Sequence, residues 1–318
     1  AGLLLAAALA LTPLVPWLWV LVAISAALGM AESGIDVGSN TLLVWTYGER
    51  VGPYMNGLHF AFGLGAFVAP LIVERAMTWS GGITWAYWVL AVLMLPPALW
   101  LVGRPSPAGH RAAETGPRQP VRYGLVALFV ACFFFYVGSE WAFGAWIFSY
   151  ASASGLSAGA ARGAEAATGA YLTSAFWGAL TIGRLAAIPL AARLRPRTIL
   201  ALDLAGSLLS AGLAAVWPDQ GWLLWVSAVG TGFFMASFFP TLMSFASRRI
   251  ALTGRITSLF FIGGSLGGMA LPWLIGQLFE PVGPWVVPAV VLAGIALNAA
   301  AFLALVVLAP QPAEPRRS

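Results

Sequence analysis

The chain has 318 residues, of which 60% are hydrophobic and 8% charged, with a formal net charge of +5. Soluble domains carry roughly a quarter charged residues, so this composition, with a mean hydropathy of +0.87, excludes a soluble protein. All 16 basic residues are arginine and most border apolar runs, a pattern of membrane topology rather than nucleic-acid binding.

Long, nearly uncharged runs separated by short polar loops read as helices; barrel strands would alternate polar and apolar. Ten spans are predicted: 1–14, 17–46, 53–74, 83–103, 122–150, 167–191, 198–217, 221–246, 256–278 and 284–309. Residues 1–13 resemble a signal segment in apolarity but lack a basic flank. The first span looks cut short and the chain opens on Ala1, so a fragment is expected.

The second span, about 30 residues or ~45 Å as a helix, must tilt or project from a hydrocarbon core ~30 Å thick. It carries Glu32, Asp36 and Asn40 at i, i+4 and i+8, one face over two turns. A carboxylate at bilayer depth costs roughly 2.5–3.5 kcal/mol on insertion scales, so two on one face call for a water-filled path or a binding cavity. The third span adds Asn56 and His59. After the fourth, residues 104–120 form the one long polar stretch, rich in Pro, Gly and Ala, and read as a cytoplasmic linker in which His110 is a solvated loop residue.

The fifth span buries Glu140 among aromatics, with Trp141 and Trp146 following. In the sixth, Tyr171, Ser174, Trp177, Thr181 and Arg184 form one polar stripe, which must face a cavity or another helix. Asp203, on the seventh, lies at a depth similar to Arg184, so a structural or gating Arg184–Asp203 pair is expected, with substrate binding by Arg184 the alternative. Small residues Gly34, Gly38, Gly263, Gly264, Gly267 and Gly268 permit close helix approach. The single cysteine, Cys132, excludes a disulfide framework, and no His/Asp spacing resembles a metal motif or a nucleophile–base set. No enzyme, metal or cofactor is expected.

Thirteen arginines fall on one set of alternate loops and only Arg75 and Arg162 on the other, with Arg184 inside a span. By the positive-inside rule the rich set, with the tail 310–318, is cytoplasmic, which suits a multi-pass protein of the cell (inner) membrane. Gly63–Ala66 with Pro70 matches Ser265–Gly268 with Pro272 at an offset of 202. The repeat gives two helical bundles: 1–103, incomplete with four helices, and 121–309 with six. At that offset the first bundle lacks about 80 residues, so the fold is read as about ten transmembrane helices truncated from six plus six. Parallel repeats around a midplane site suit a transporter.

With these residues in view, the sequence resembles the major facilitator superfamily, and within it the fucose permease and sodium-dependent glucose transporter branch. The carrying motifs are Ala31-Glu32-Ser33 with Asp36 and Asn40, Gly48-Glu49-Arg50-Val51-Gly52-Pro53, Asn56, His59, the Gly63–Pro70 run, and Tyr136-Val137-Gly138-Ser139-Glu140 with Gly144 and Trp146. The resemblance implies a major facilitator fold and an ion-coupled symporter, with H+ the expected ion and Na+ the alternative, moving a sugar-like solute by alternating access as a monomer in the lipid bilayer. It implies a coupling role for Glu32 and a substrate contact for His59, which stands where fucose permease has a glutamine. Phe62 replaces an asparagine of that sugar site, and Ala192–Arg197 lacks the aspartate of the superfamily's loop signature.

Glu32 and Asp36 are therefore the candidate coupling carboxylates, and Asn40, His59, Glu140, Trp146 and Trp177 the candidate substrate contacts. The alternatives are a carboxyl tying two helices together at Glu32, a gate or sugar ligand at Asp36, interhelical bonding at Asn40 and Asn56, an interior histidine at His59, and belt tryptophans. At the level of function, a drug or metabolite exporter and a non-transporting sensor are the alternatives.

Overall fold

The computed structural model describes residues 1–47, 52–104, 122–154, 164–218, 220–250 and 252–308. The predicted linker beyond Arg104, His110, the Gly48–Val51 part of the loop motif, Arg162 and the tail lie outside the described residues, as does the side chain of Asn56. The chain divides into two compact units, Ala1–Gly116 and Pro117–Ser318. All regular structure among the described residues is helical.

The first unit contains α1 (Gly2–Leu11), a 3-10 turn at Thr12–Leu14, α2 (Leu18–Tyr47), α3 (Gly52–Ser80) and α4 (Thr84–Leu101). Here α1 packs against α4 and α2, and α3 against α4, while α2 and α3 scarcely meet. Their loop-side ends are drawn together by Tyr47 stacked on Tyr54, with ring centroids 3.5 Å apart. Pro96 and Pro97 lie inside α4 and Pro70 inside α3.

The second unit contains α5 (Tyr123–Ala153), α6 (Ala164–Arg193), α7 (Pro196–Val216), α8 (Gly221–Met235), α9 (Phe238–Ser247), α10 (Gly254–Val282) and α11 (Val286–Leu308). Its core is α5, which packs on α10, α11 and α6; α8 joins α6 to α7. The α5–α10 contact is close because both sides carry glycine: a Cβ on Gly138 would lie 2.8 Å from the Gly267 carbonyl oxygen, and one on Gly267 would strike the Phe134 carbonyl. Without a side chain at either point the two backbones meet directly, the small-residue packing that drives association where lipid removes the hydrophobic contrast. Around it Phe129, Phe133, Phe245, Phe260 and Phe302 form stacked, tilted and edge-on ring pairs.

Among the described residues, nine segments are long and apolar enough to cross a membrane; the first predicted span, Gly2–Leu14, is shorter. One of the nine departs from its predicted form. The sequence reads 221–246 as a continuous helix, whereas the chain breaks at Ala236–Ser237 between α8 and α9. Pro240 is the reason: it has no N–H for the Ala236 carbonyl and its ring crowds that position. On the α8 side the Ala236 N–H donates back three residues to the Phe233 carbonyl at 3.4 Å, and on the α9 side the Thr241 N–H donates to the Ser237 carbonyl at 3.1 Å.

Exposed Trp17, Trp79, Trp85, Trp217, Trp222 and Trp285 all sit at the helix ends facing the arginine-poor loops, an interfacial belt. Arg75 lies over the Trp79 ring at 4.5 Å, and Arg104 over Trp100 at 4.5 Å.

Candidate functional site

In the first unit the acidic stripe forms as its spacing requires. Glu32 and Asp36 are both exposed on α2, and Asn40 is half-buried one turn on. Asn40 Nδ2 donates to Asp36 Oδ1 at 2.9 Å and to the Asp36 carbonyl at 2.8 Å, holding that carboxylate along the helix. His59 is exposed on α3, as is Phe62. An exposed carboxylate on a membrane-length helix is tolerated where water or protein, not hydrocarbon, covers the face.

In the second unit Glu140 and Asp203 are both buried, at 6% and 7% exposure. The Arg184 guanidinium lies 3.7 Å from Glu140 Oε1. The predicted Arg184–Asp203 pair is thus replaced by Arg184–Glu140. Depth along the chain gives a residue's height but not its direction; α6 packs on α5 and α8 and barely touches α7.

Asp203 takes a different partner, accepting a hydrogen bond from Ser237 Oγ at 2.6 Å. Ser237 is the N-cap of α9, so the carboxylate sits where the half-helix dipole favours negative charge. That term is worth up to ~2 kcal/mol, whereas burying an ion costs several kcal/mol. The dipole alone leaves a deficit. Across the same break the Tyr136 hydroxyl donates to the Met235 carbonyl at 3.0 Å. Glu140 stands one turn along α5 from Tyr136, so the Arg184–Glu140 pair, the Tyr136–Met235 bond and the Asp203–Ser237 bond are the polar contacts that tie α5 to α6, α5 to α8 and α7 to α9.

The candidate tryptophans are engaged in packing. Trp146 donates its indole N–H to the Pro272 carbonyl at 3.1 Å and its ring lies against Phe279. Trp177 is 7% exposed, edge-on to Trp141, and fills the space over Gly144. The stripe on α6 mostly faces its neighbours: Ser174 and Thr181 are buried with Trp177, and Tyr171 is exposed. Ser237 and Tyr136 carry no role in the sequence reading; Pro240 was the signal that could have found the break. No group of three or more metal-binding side chains occurs among the described residues.

Nine apolar crossing segments among the described residues, with buried acids tied across helices, define a polytopic membrane protein. Residues 1–272 match the Major Facilitator Superfamily. The chain belongs to that family, a class of carriers rather than enzymes. It is 30% identical over 313 residues to the mouse sodium-dependent glucose transporter 1A, covering 86% of this chain and 72% of that protein. With the human sodium-dependent glucose transporter 1 it shares 30% over 288 residues, 79% of this chain and 54% of that one. The human major facilitator superfamily domain-containing protein 4A is 23% identical over 364 residues, 84% of this chain and 70% of its own. The chain thus spans between about half and three quarters of the length of the relatives it matches.

Proposed function

We propose that this chain belongs to a cation-coupled carrier that takes up a sugar-like solute by alternating access. The observation that carries the reading is the α2 stripe, where exposed Glu32 and Asp36 share a face and Asn40 anchors Asp36. Such a face is stable at bilayer depth when it lines an aqueous path, and carboxylate oxygens on that path suit a small hard cation. Relatives named sodium-dependent glucose transporters favour Na+ and a hexose; the proton expected from the sequence finds no support among them. His59 and Asn40 are assigned to the solute. Within the second unit Glu140 is held by its pair with Arg184, and Trp146 and Trp177 are held by packing against Phe279 and Trp141. The arginine-rich loops are cytoplasmic by the positive-inside rule.

The experiment is uptake of labelled glucose by the full-length protein in liposomes, under an imposed sodium gradient and, separately, a pH gradient. Sodium-driven accumulation is expected, and E32Q and D36N should lose it while keeping exchange of labelled sugar. Accumulation undiminished in both variants removes the stripe from coupling, and outward movement of hydrophobic drugs with no sugar uptake favours an exporter.

A further inference from the structure

We infer that Asp203, Ser237 and the α8–α9 break form a binding site for a monovalent metal cation in the second unit, apart from the α2 carboxylates. Asp203 is 7% exposed, and among the described residues no cationic side chain lies within ion-pairing distance of it. Arg184, on the neighbouring α6, pairs with Glu140. The α8 and α9 helices, which pack on α7, carry no ionisable side chain, and α11 carries none either. The nearest titratable groups of α5 are Tyr136, which gives its hydroxyl to Met235, and Glu140.

A buried carboxylate without a counter-charge is costly, and the N-terminus of α9 offsets only part of that cost. The oxygens shown together are those a small hard cation takes, the Asp203 carboxylate and Ser237 Oγ at 2.6 Å from it, and the Ala236 carbonyl, whose usual amide partner is removed by Pro240, belongs to the residue just before Ser237. Interrupted membrane helices use freed carbonyls and half-helix C-terminal ends in this way, and the C-terminal end here is that of α8 at Met235. No nitrogen or sulfur donor is present in the set, which argues against a transition metal. One formal negative charge is balanced by one positive, which argues against a divalent ion. The proposed function enters only in the choice of sodium over other monovalent cations.

The test is equilibrium binding of radioactive sodium to the purified full-length protein and to D203N, S237A and E32Q/D36N, each checked for folding by its thermal transition. D203N keeps an oxygen that Ser237 can donate to, so it should fold and bind about one sodium fewer per molecule. S237A should weaken that site about tenfold or more, and E32Q/D36N should leave it intact. Sodium binding identical in wild type, D203N and S237A overturns the site. So does an Asp203-dependent carboxyl infrared band that responds to pH but not to sodium, which would make the ligand a proton. Loss of all sodium binding in E32Q/D36N would overturn this site while leaving the α2 reading in place. An intact Asp203 site with no sodium-driven uptake would do the reverse.

Discussion

Arg184 on α6 and Glu140 on α5 meet at 3.7 Å, with 24% and 8% of their side chains exposed. Both ions are mostly desolvated, so each is tolerable only in the presence of the other. R184A should cost about 3 kcal/mol, the low end for a buried pair because the arginine keeps some exposure. The double variant R184A/E140Q should recover to within about 1 kcal/mol of wild type. Thermal unfolding of the four proteins in detergent measures this; a double variant whose loss equals the sum of the two single losses would show that the groups act independently.

The repeat pairs Gly65 of α3 with Gly267 of α10, and the two should respond oppositely to alanine. A methyl on Gly267 meets the Phe134 carbonyl, a backbone group that cannot rotate away, whereas nothing lies within 4 Å of a Cβ on Gly65. G267A should therefore destabilise by about 2–3 kcal/mol, and G65A should be neutral or gain up to about 1 kcal/mol from helix propensity. Transition temperatures of the two variants decide it, and a G267A protein as stable as wild type would show that α10 can shift away from α5.

At the break, Y136F deletes the hydroxyl donated to Met235. The expected loss is about 1 kcal/mol, with faster amide exchange confined to the residues around Ala236–Thr241. P240A restores the missing amide and should straighten the α8–α9 segment, carrying Ser237 away from Asp203. Spin labels on α8 and α9 should then lie farther apart than in wild type; unchanged distances would mean that neighbouring helices, not the proline, hold the bend.

The helical class and the crossing segments were legible because they depend on composition and local periodicity, and the family because its motifs stand in the sequence and carry the resemblance. The α2 stripe was legible for the same reason, since i, i+4 and i+8 on one helix need no neighbour. Partnerships between helices were not. Arg184 and Asp203 share a depth, but the direction of each side chain depends on how α6 and α7 rotate against α5 and α8, and periodicity within one helix does not fix that rotation. Trp177 reads as a cavity residue from its stripe and turns out to fill the space over Gly144, because the stripe's two readings, cavity or helix, differ only in what stands opposite. The α8–α9 break was recoverable: Pro240 is the signal for it, in the middle of a membrane segment.

That break gives the second unit a joint. A continuous helix transmits a push along its length unchanged, but two stubs hinged at Ala236–Ser237 convert a small sideways pull at the hinge into a swing of the arginine-bearing end beyond Ser247. Two side-chain contacts tie that joint to its neighbours, Ser237 to Asp203 on α7 and Met235 to Tyr136 on α5, so it is held from two helices at once.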